Sequence, residues 1–95
     1  MRFINRSNAF KHSYKTMEKR GKTMKKFNDI IFLLANDLPL PYSCKDHTLT
    51  GNFFRFRELH IEPDWLLMYY KKASQKDYPN GILYLELTGT HSDLF

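Results

Sequence analysis

The sequence has a single cysteine, Cys44, so it cannot form an internal disulfide or a cysteine-based zinc site. Such sparing use of cysteine is typical of a reducing compartment, which favours the cytoplasm. No apolar run is longer than that of Ile30 to Ala35, which is far shorter than the roughly 20 residues that span a bilayer. Residues 1–15 also lack the apolar block of a signal peptide. These absences predict a protein that is neither membrane-bound nor secreted.

Glycine and proline are scarce, with four of each among 95 residues. Hydrophobic residues make up 42% of the chain and aromatic residues 16%, which is too much core material for a disordered protein. No internal repeat or Ser/Pro-rich linker marks a boundary between domains. We therefore expect residues 1–95 to form one domain with one modest core, which excludes a large multidomain enzyme.

Acidic residues are almost absent from the beginning of the chain. Residues 1–26 carry nine Lys or Arg and one Glu, a net charge of +8, whereas residues 27–95 carry six basic and nine acidic residues, a net charge of −3. A basic stripe on a helical hairpin suits a phosphate backbone or an acidic protein partner, and it is also an ordinary solvated helix face. Five lysines recur at steps of three and four residues and would form this stripe: Lys11, Lys15, Lys19, Lys22 and Lys26.

Hydrophobic periodicity predicts an α+β fold. The predicted elements are a strand over 2–6, a helix from the N-cap Ser7 to Gly21, a helix from the N-cap Thr23 to just before Leu38, a turn over 46–51, and strands over 53–61, 65–70 and 82–87. Along the strand over 53–61, Glu58 and His60 face one side, and Arg55 and Arg57 face the other. The expected architecture has two N-terminal helices on one face of a small antiparallel sheet, with the other face available for function.

Three of the four histidines lie in the second half of the chain, and each is near a carboxylate in the sequence: His47, His60 and His91. Imidazole gives and takes protons near neutral pH, so this group could supply both the base and the acid of one reaction. Zinc is an alternative, but the sequence has no His-Glu-x-x-His motif, and the Glu58-x-His60 spacing is a weak signal. A lone histidine is more often structural, so the hypothesis of acid–base chemistry depends on the three histidines as a group and not on any one of them.

Three blocks of the second half resemble the YafQ family of bacterial toxins, which belongs to the RelE-like superfamily of messenger RNA endonucleases. They are KDHTLTG at 45–51, FRELHIEPDWLLMY at 56–69 and TGTHSDLF at 88–95. The resemblance implies a RelE-like fold and a toxin that cuts messenger RNA in the ribosomal A site. It also implies a cognate antitoxin that silences the toxin. We expect this antitoxin to be DinJ- or RelB-like, acidic and DNA-binding, and to be the toxin's only route to operator DNA.

Six positions of this chain match site residues of the family: His47, Glu58, His60, Asp64, His91 and Phe95. Glu58 stands where some relatives have Asp, which keeps the carboxylate but moves it by one methylene. A larger departure is Leu87, where relatives often carry Arg, so one candidate for stabilising phosphate charge is missing. We expect Arg57 or Lys45 to replace it, and Arg55 to be a further RNA contact.

The chemistry that these residues suggest is RNA cleavage without a metal or cofactor, by attack of the ribose 2′-hydroxyl on its own phosphate. His60, supported by Glu58, would be the base and His91 the acid. His47 and Asp64 would orient the network or stabilise charge, and Phe95 would position a base. The products would carry a 2′,3′-cyclic phosphate and a 5′-hydroxyl. The alternative is a module of the same fold that binds RNA or the antitoxin without catalysis.

Overall fold

The computed structural model describes residues 1–51 and 55–95 as an α+β fold. Its elements in chain order are β1 (Phe3–Arg6), α1 (Asn8–Lys19), α2 (Met24–Ala35), a 3₁₀ turn (Tyr42–Cys44), β2 (His47–Thr48), β3 (Arg57–Glu62), β4 (Trp65–Lys72), β5 (Ile82–Gly89) and α3 (His91–Leu94). No helix within the described ranges is long and apolar enough to cross a membrane.

The two long helices begin where their N-cap residues predict. The Ser7 hydroxyl accepts a hydrogen bond of 2.9 Å from the Phe10 amide and so caps α1. Gly21 follows α1 with a φ of +79°, a conformation that favours glycine and ends the helix. Thr23 is the N-cap of α2 by position, although its side chain makes no capping hydrogen bond.

The five strands form one sheet in the order β1-β5-β4-β3-β2. Strands β3, β4 and β5 pair antiparallel, as predicted, and the short strand β2 also pairs antiparallel to β3. Strand β1 pairs parallel to β5, with Phe3 opposite Ile82, and so adds one parallel edge to the sheet. The α+β fold class is therefore confirmed, and the antiparallel part of the sheet carries the candidate residues.

Three predicted boundaries are wrong in detail. The strand expected over 53–61 begins at Arg57 and runs to Glu62, and Phe53 and Phe54 lie outside the described residues. The turn expected over 46–51 contains the short strand β2, which pairs with β3. The strand expected over 82–87 continues to Gly89, and the helix α3 follows it.

The core lies between the two long helices and one face of the sheet. Phe27 of α2 stacks on Trp65 of β4 with ring centroids 5.8 Å apart, and Phe10 of α1 lies 5.8 Å from Phe27. The Trp65 indole N–H donates to the Thr88 hydroxyl at 2.9 Å, and that hydroxyl donates to the Leu66 carbonyl at 2.8 Å. This buried chain of hydrogen bonds joins β4 to the end of β5 and leaves no polar atom of Trp65 unpaired.

Candidate functional site

The sheet face opposite the helices carries the candidate carboxylate and the central histidine. Glu58 lies opposite Met68, which in turn lies opposite Leu87, and residues directly opposite each other point to the same face. His60 follows Glu58 by two residues and therefore shares this face, which we call the site face. The alternation predicted for this part of β3 is confirmed, since the neighbouring Leu59 is fully buried in the core.

His60 and His91 come together on the site face although they lie on different elements. Their ring centroids are 5.9 Å apart, and the ring planes are inclined by 48°. The Nδ1 atom of His60 is 3.2 Å from the Pro63 carbonyl oxygen, and Nδ1 of His91 is 2.6 Å from Oδ1 of Asp64. Both rings are thus oriented through Nδ1, and no described residue hydrogen-bonds to either Nε2 atom. Each Nε2 is available to exchange a proton with a substrate.

Asp64 holds His91 through two contacts from the turn between β3 and β4. The same Oδ1 atom accepts the backbone N–H of His91 at 3.0 Å and faces the ring Nδ1 at 2.6 Å. The backbone hydrogen bond from His91, followed by the contact with its ring, lowers the pKa of Asp64 below its usual value. A carboxylate at Nδ1 fixes the tautomer and the orientation of an imidazole, so Asp64 is placed to direct Nε2 of His91 towards a substrate.

His47 and Glu58 form a second pair beside the two histidine rings. Strand β2 places His47 opposite Glu58, and Nε2 of His47 is 3.5 Å from Oε1 of Glu58. The Glu58 side chain is only 7% exposed, and its Oε2 has no hydrogen-bond partner among the described residues. Since buried polar atoms are nearly always paired, an unpaired carboxylate oxygen on the site face marks a position where a substrate or a proton is expected.

The Thr-Gly-Thr-His segment is built to place His91. Gly89 allows the close approach of Asp93, because a Cβ atom at residue 89 would lie 2.8 Å from the Cβ of Asp93. The Thr90 hydroxyl caps α3 by accepting the Asp93 amide, and the Asp93 carboxylate accepts the Thr90 amide at 2.9 Å. This reciprocal capping box starts α3 at His91. The capping box therefore explains why Thr90 and Asp93 stand three residues apart on either side of His91.

Phe95 lies one turn after His91 and is largely exposed. Its amide donates to the His91 carbonyl oxygen at 2.9 Å, and 63% of the residue is accessible to solvent. This exposure does not test the expectation that Phe95 positions a base, which stays a prediction.

Arg57 does not lie with the histidines, contrary to its expected role as a replacement cation. Its guanidinium is 2.9 Å from the Asp46 carboxylate, which is the main reason that the pKa of Arg57 is raised. Asp46 also accepts the Tyr69 hydroxyl at 2.6 Å. Because Arg57 lies opposite Tyr69, it points to the helix side of the sheet. Arg55 is exposed in the turn before β3.

Lys45 is better placed than Arg57 to act near His60. A groove of about 360 Å³ is lined by Lys45, Lys26 and His60, together with Glu62 and the turn at Pro63. Lys26 is ion-paired with Glu62 at 3.1 Å, so Lys45 is the cation of this groove that is better suited to a phosphate group. Leu87, on the site face two strands away from Glu58, adds no charge there.

The predicted basic stripe divides into two groups. Lys11, Lys15 and Lys19 are exposed on α1. Lys22 and Lys26 lie 3.7 and 3.1 Å from the Glu62 carboxylate, near the candidate site. Sequence reasoning missed the ion pair between Arg20 and Asp93, because the two residues are 73 positions apart and no local pattern joins them.

Contacts between the candidate histidines and carboxylates are pairwise. Within residues 1–51 and 55–95, no three His, Cys, Asp or Glu side chains come close enough together to hold a metal ion. Two of the three candidate histidines each contact a carboxylate: His91 contacts Asp64, and His47 contacts Glu58. Such pairs are suited to acid–base chemistry.

Comparison with known proteins identifies the family of the chain. Residues 2–95 match the family described as "Bacterial toxin of type II toxin-antitoxin system, YafQ". The mRNA interferase toxin YafQ of Escherichia coli K12 is 41% identical over 95 residues, which cover 99% of this chain and 96% of that protein.

Two solved structures have the same fold over nearly their whole length. The crystal structure of the E. coli DinJ-YafQ toxin-antitoxin complex matches with a TM-score of 0.85 and 39% identity, covering 99% of this chain and 97% of that one. A metal-bound toxin from Helicobacter pylori matches with a TM-score of 0.84 and 37% identity, covering all of both chains. The chain therefore belongs to the YafQ family of bacterial toxins of type II toxin–antitoxin systems.

Proposed function

We propose that this toxin is an endoribonuclease that cuts messenger RNA in the ribosomal A site and so stops translation, acting as one domain over residues 1–95. The observation that carries the proposal is the pair of imidazole rings 5.9 Å apart, each oriented through Nδ1. A phosphodiester that lies between the two Nε2 atoms meets a base on one side and an acid on the other. The 41% identical relative is itself described as an mRNA interferase.

Cleavage proceeds by displacement at phosphorus and needs neither a water nucleophile nor a metal. His60 takes the proton of the ribose 2′-hydroxyl, and the 2′-oxygen forms a bond to phosphorus. The bond from phosphorus to the 5′-oxygen breaks, and His91 gives its proton to that oxygen. The products are a 2′,3′-cyclic phosphate and a 5′-hydroxyl. A well-placed base and acid each contribute about 10²- to 10⁴-fold to the rate.

The remaining candidate residues support this step. Asp64 accepts Nδ1–H of His91 and so favours the doubly protonated ring, whose Nε2–H is the proton that is transferred. Glu58, which contacts His47, lies two residues before His60 on the site face and supports it as the base. Lys45 stabilises the negative phosphorane from the groove that it lines with His60. Phe95 stacks on a base and positions the scissile phosphate.

The proposed partners are an antitoxin, the 70S ribosome and messenger RNA. The solved DinJ-YafQ complex supports a DinJ- or RelB-like antitoxin, and an acidic one would complement the net charge of +8 on residues 1–26. Ribosomal RNA would use the same basic residues, including Lys11, Lys15 and Lys19 on α1. Operator DNA is reached only through the antitoxin, and the site of action is the cytoplasm.

The test is primer extension on a defined messenger in a reconstituted translation system, with and without ribosomes. His60→Ala and His91→Ala should abolish cleavage while both variants fold and bind the antitoxin. His12→Ala is the matched control, because His12 is exposed on α1, away from the site face, and should cut like wild type. Full cleavage by both site variants would refute the assignment.

A second arm addresses metal, because a similar toxin has been solved in a metal-bound form. Cleavage should persist when a chelator removes transition metals and enough magnesium remains to keep the ribosomes intact. Loss of cleavage that returns on adding a transition metal would replace the acid–base mechanism with a metal-dependent one.

The rival function is a binding module of the same fold that does not cut RNA. The observation that favours it is Leu87, an apolar residue on the site face where an arginine was expected. Absence of cutting by a folded wild type that still binds the antitoxin would support this rival. Toxicity of the isolated gene, relieved by its antitoxin, would instead support the enzyme.

A further inference from the structure

Helix α3 carries His91 but contains no buried residue. A helix of four residues makes few internal hydrogen bonds, so its position depends on contacts from other elements. Among the described residues, two side chains from other elements form hydrogen bonds with it. Asp64 holds His91 from the turn before β4, and Arg20 holds Asp93 from the end of α1.

The contact between Arg20 and Asp93 is a bidentate ion pair. Nη1 of Arg20 donates to Oδ2 of Asp93 at 2.7 Å, and Nη2 donates to Oδ1 at 3.0 Å. The same carboxylate accepts the Thr90 amide at 2.9 Å, which closes the capping box of α3. Arg20 is the main reason that the pKa of Asp93 is held well below its usual range, so the carboxylate stays charged. Two parallel hydrogen bonds fix an orientation as well as a distance.

This ion pair can control the position of His91 because Asp93 and His91 lie in the same short helix. Asp93 lies two residues after His91 in a single helical turn that is seated against Gly89. A rotation of that turn moves the His91 ring relative to His60, which lies on a different element and does not follow. Errors of about 1 Å in the placement of a catalytic group can cost about 10²-fold in rate.

We propose that Arg20 is a positioning residue, which holds Asp93 in a bidentate ion pair and thereby fixes the His91 ring at its working distance from His60. The inference rests on the proposed function, since it assumes that His91 transfers a proton. The competing role for Arg20 is a direct contact with an RNA phosphate. The geometry favours positioning, because both Nη atoms of Arg20 are already bonded to Asp93.

A double-mutant cycle separates the two roles. Arg20→Gln removes the cation, and Asp93→Asn removes the anion while keeping a side-chain oxygen that can cap the Thr90 amide. Each variant should lower kcat by about ten- to a hundredfold and leave KM within about threefold, and the double variant should be no worse than either single one. Lys76→Gln, which neutralises an exposed cation outside the proposed site and outside the basic stripe, should leave kcat unchanged.

The opposite pattern would overturn the proposal. If Arg20 binds RNA directly, Arg20→Gln will raise KM, Asp93→Asn will be much milder, and the two losses will multiply in the double variant. Arg20→Lys provides a further check, because a single point charge should restore only part of kcat where a bidentate fork is required. Equal activity of the lysine variant and wild type would also contradict the proposal.

Nuclear magnetic resonance of the protein without RNA tests the role of Arg20 independently of RNA cleavage. The ¹⁵N and ¹H signals of the His91 imidazole report its contact with Asp64, and they should shift or broaden in Arg20→Gln and Asp93→Asn. The signals of His47, which is held from β2, should stay in place. Unchanged His91 signals in both variants would refute positioning. A wild type that does not cut would refute only the proposed function, and the imidazole spectra would still decide the role of Arg20.

Discussion

Replacing Glu58 by methionine should make the protein more stable and at the same time inactive. Glu58 is 6% exposed, and one of its carboxylate oxygens has no partner among the described residues. Its other oxygen is 3.5 Å from Nε2 of His47, at the limit of a hydrogen bond. Methionine has a similar volume and would contact apolar neighbours, since Met68 and Leu87 follow it across the site face.

The size of the gain follows from the cost of a buried polar atom without a partner. That cost is about 1–3 kcal/mol, and removing it should raise the free energy of unfolding by the same amount. For a domain of this size, each kcal/mol corresponds to a rise in Tm of about 4–8 °C. The same substitution removes the charge that supports His60, so we expect cleavage to fall by at least about 10²-fold.

Thermal unfolding followed by circular dichroism measures the first effect, and primer extension measures the second. Glu62→Met is the matched control, because the Glu62 carboxylate has partners in Lys22 and Lys26 and its removal should bring no gain in Tm. A Glu58→Met protein that melts at or below the temperature of wild type would refute the reasoning, since the carboxylate would then be well satisfied. Full activity of the same variant would remove Glu58 from the site.

Three further predictions address other parts of the molecule. Thr88→Val should lower the free energy of unfolding by about 1–3 kcal/mol in a urea titration, because the buried Trp65 indole N–H loses its acceptor; an unchanged midpoint would contradict this. Leu87→Arg should speed single-turnover cleavage by adding a cation to the site face, and an equal or lower rate would show that no cation is missing there. The pKa of Asp93 is lower in the folded state than in the unfolded state, so the charged carboxylate stabilises the fold. This contribution is fully present above the unfolded-state pKa of about 4, and it is lost as the pH falls through the lower folded-state pKa. The Tm of wild type should therefore fall more steeply below about pH 4 than that of Asp93→Asn, and parallel curves would show that the ion pair contributes nothing.

Local sequence patterns predicted the helices and the composition of the site face well. Ser7 caps α1 through its own side chain, and the alternation along β3 places His60 and Glu58 on one face because side chains in a strand alternate strictly. The resemblance to the toxin family identified His91 and Asp64, and the structure shows that the two are in contact. That these residues are catalytic stays a prediction.

The features that sequence reasoning missed all depend on residues far apart in the chain. Arg57 forms an ion pair with Asp46 and therefore points away from the site face. Arg20 forms an ion pair with Asp93. The unpaired oxygen of Glu58 is also a property of its surroundings and not of its neighbours in sequence. Periodicity reports on contacts within a few residues, whereas these contacts are set by how the strands and helices are assembled.

The pairing of the first strand with the last has a consequence for synthesis of the toxin. Strand β1 finds its hydrogen-bonding partner only in β5, with Phe3 opposite Ile82. A growing chain therefore cannot complete the sheet until nearly all of it has been made, and the part of α1 that packs on β5 stays uncovered until then. A chain that is cut short before β5 lacks both this closure and His91. Incomplete products are thus open to proteolysis, and the proposed site can form only in nearly finished chains.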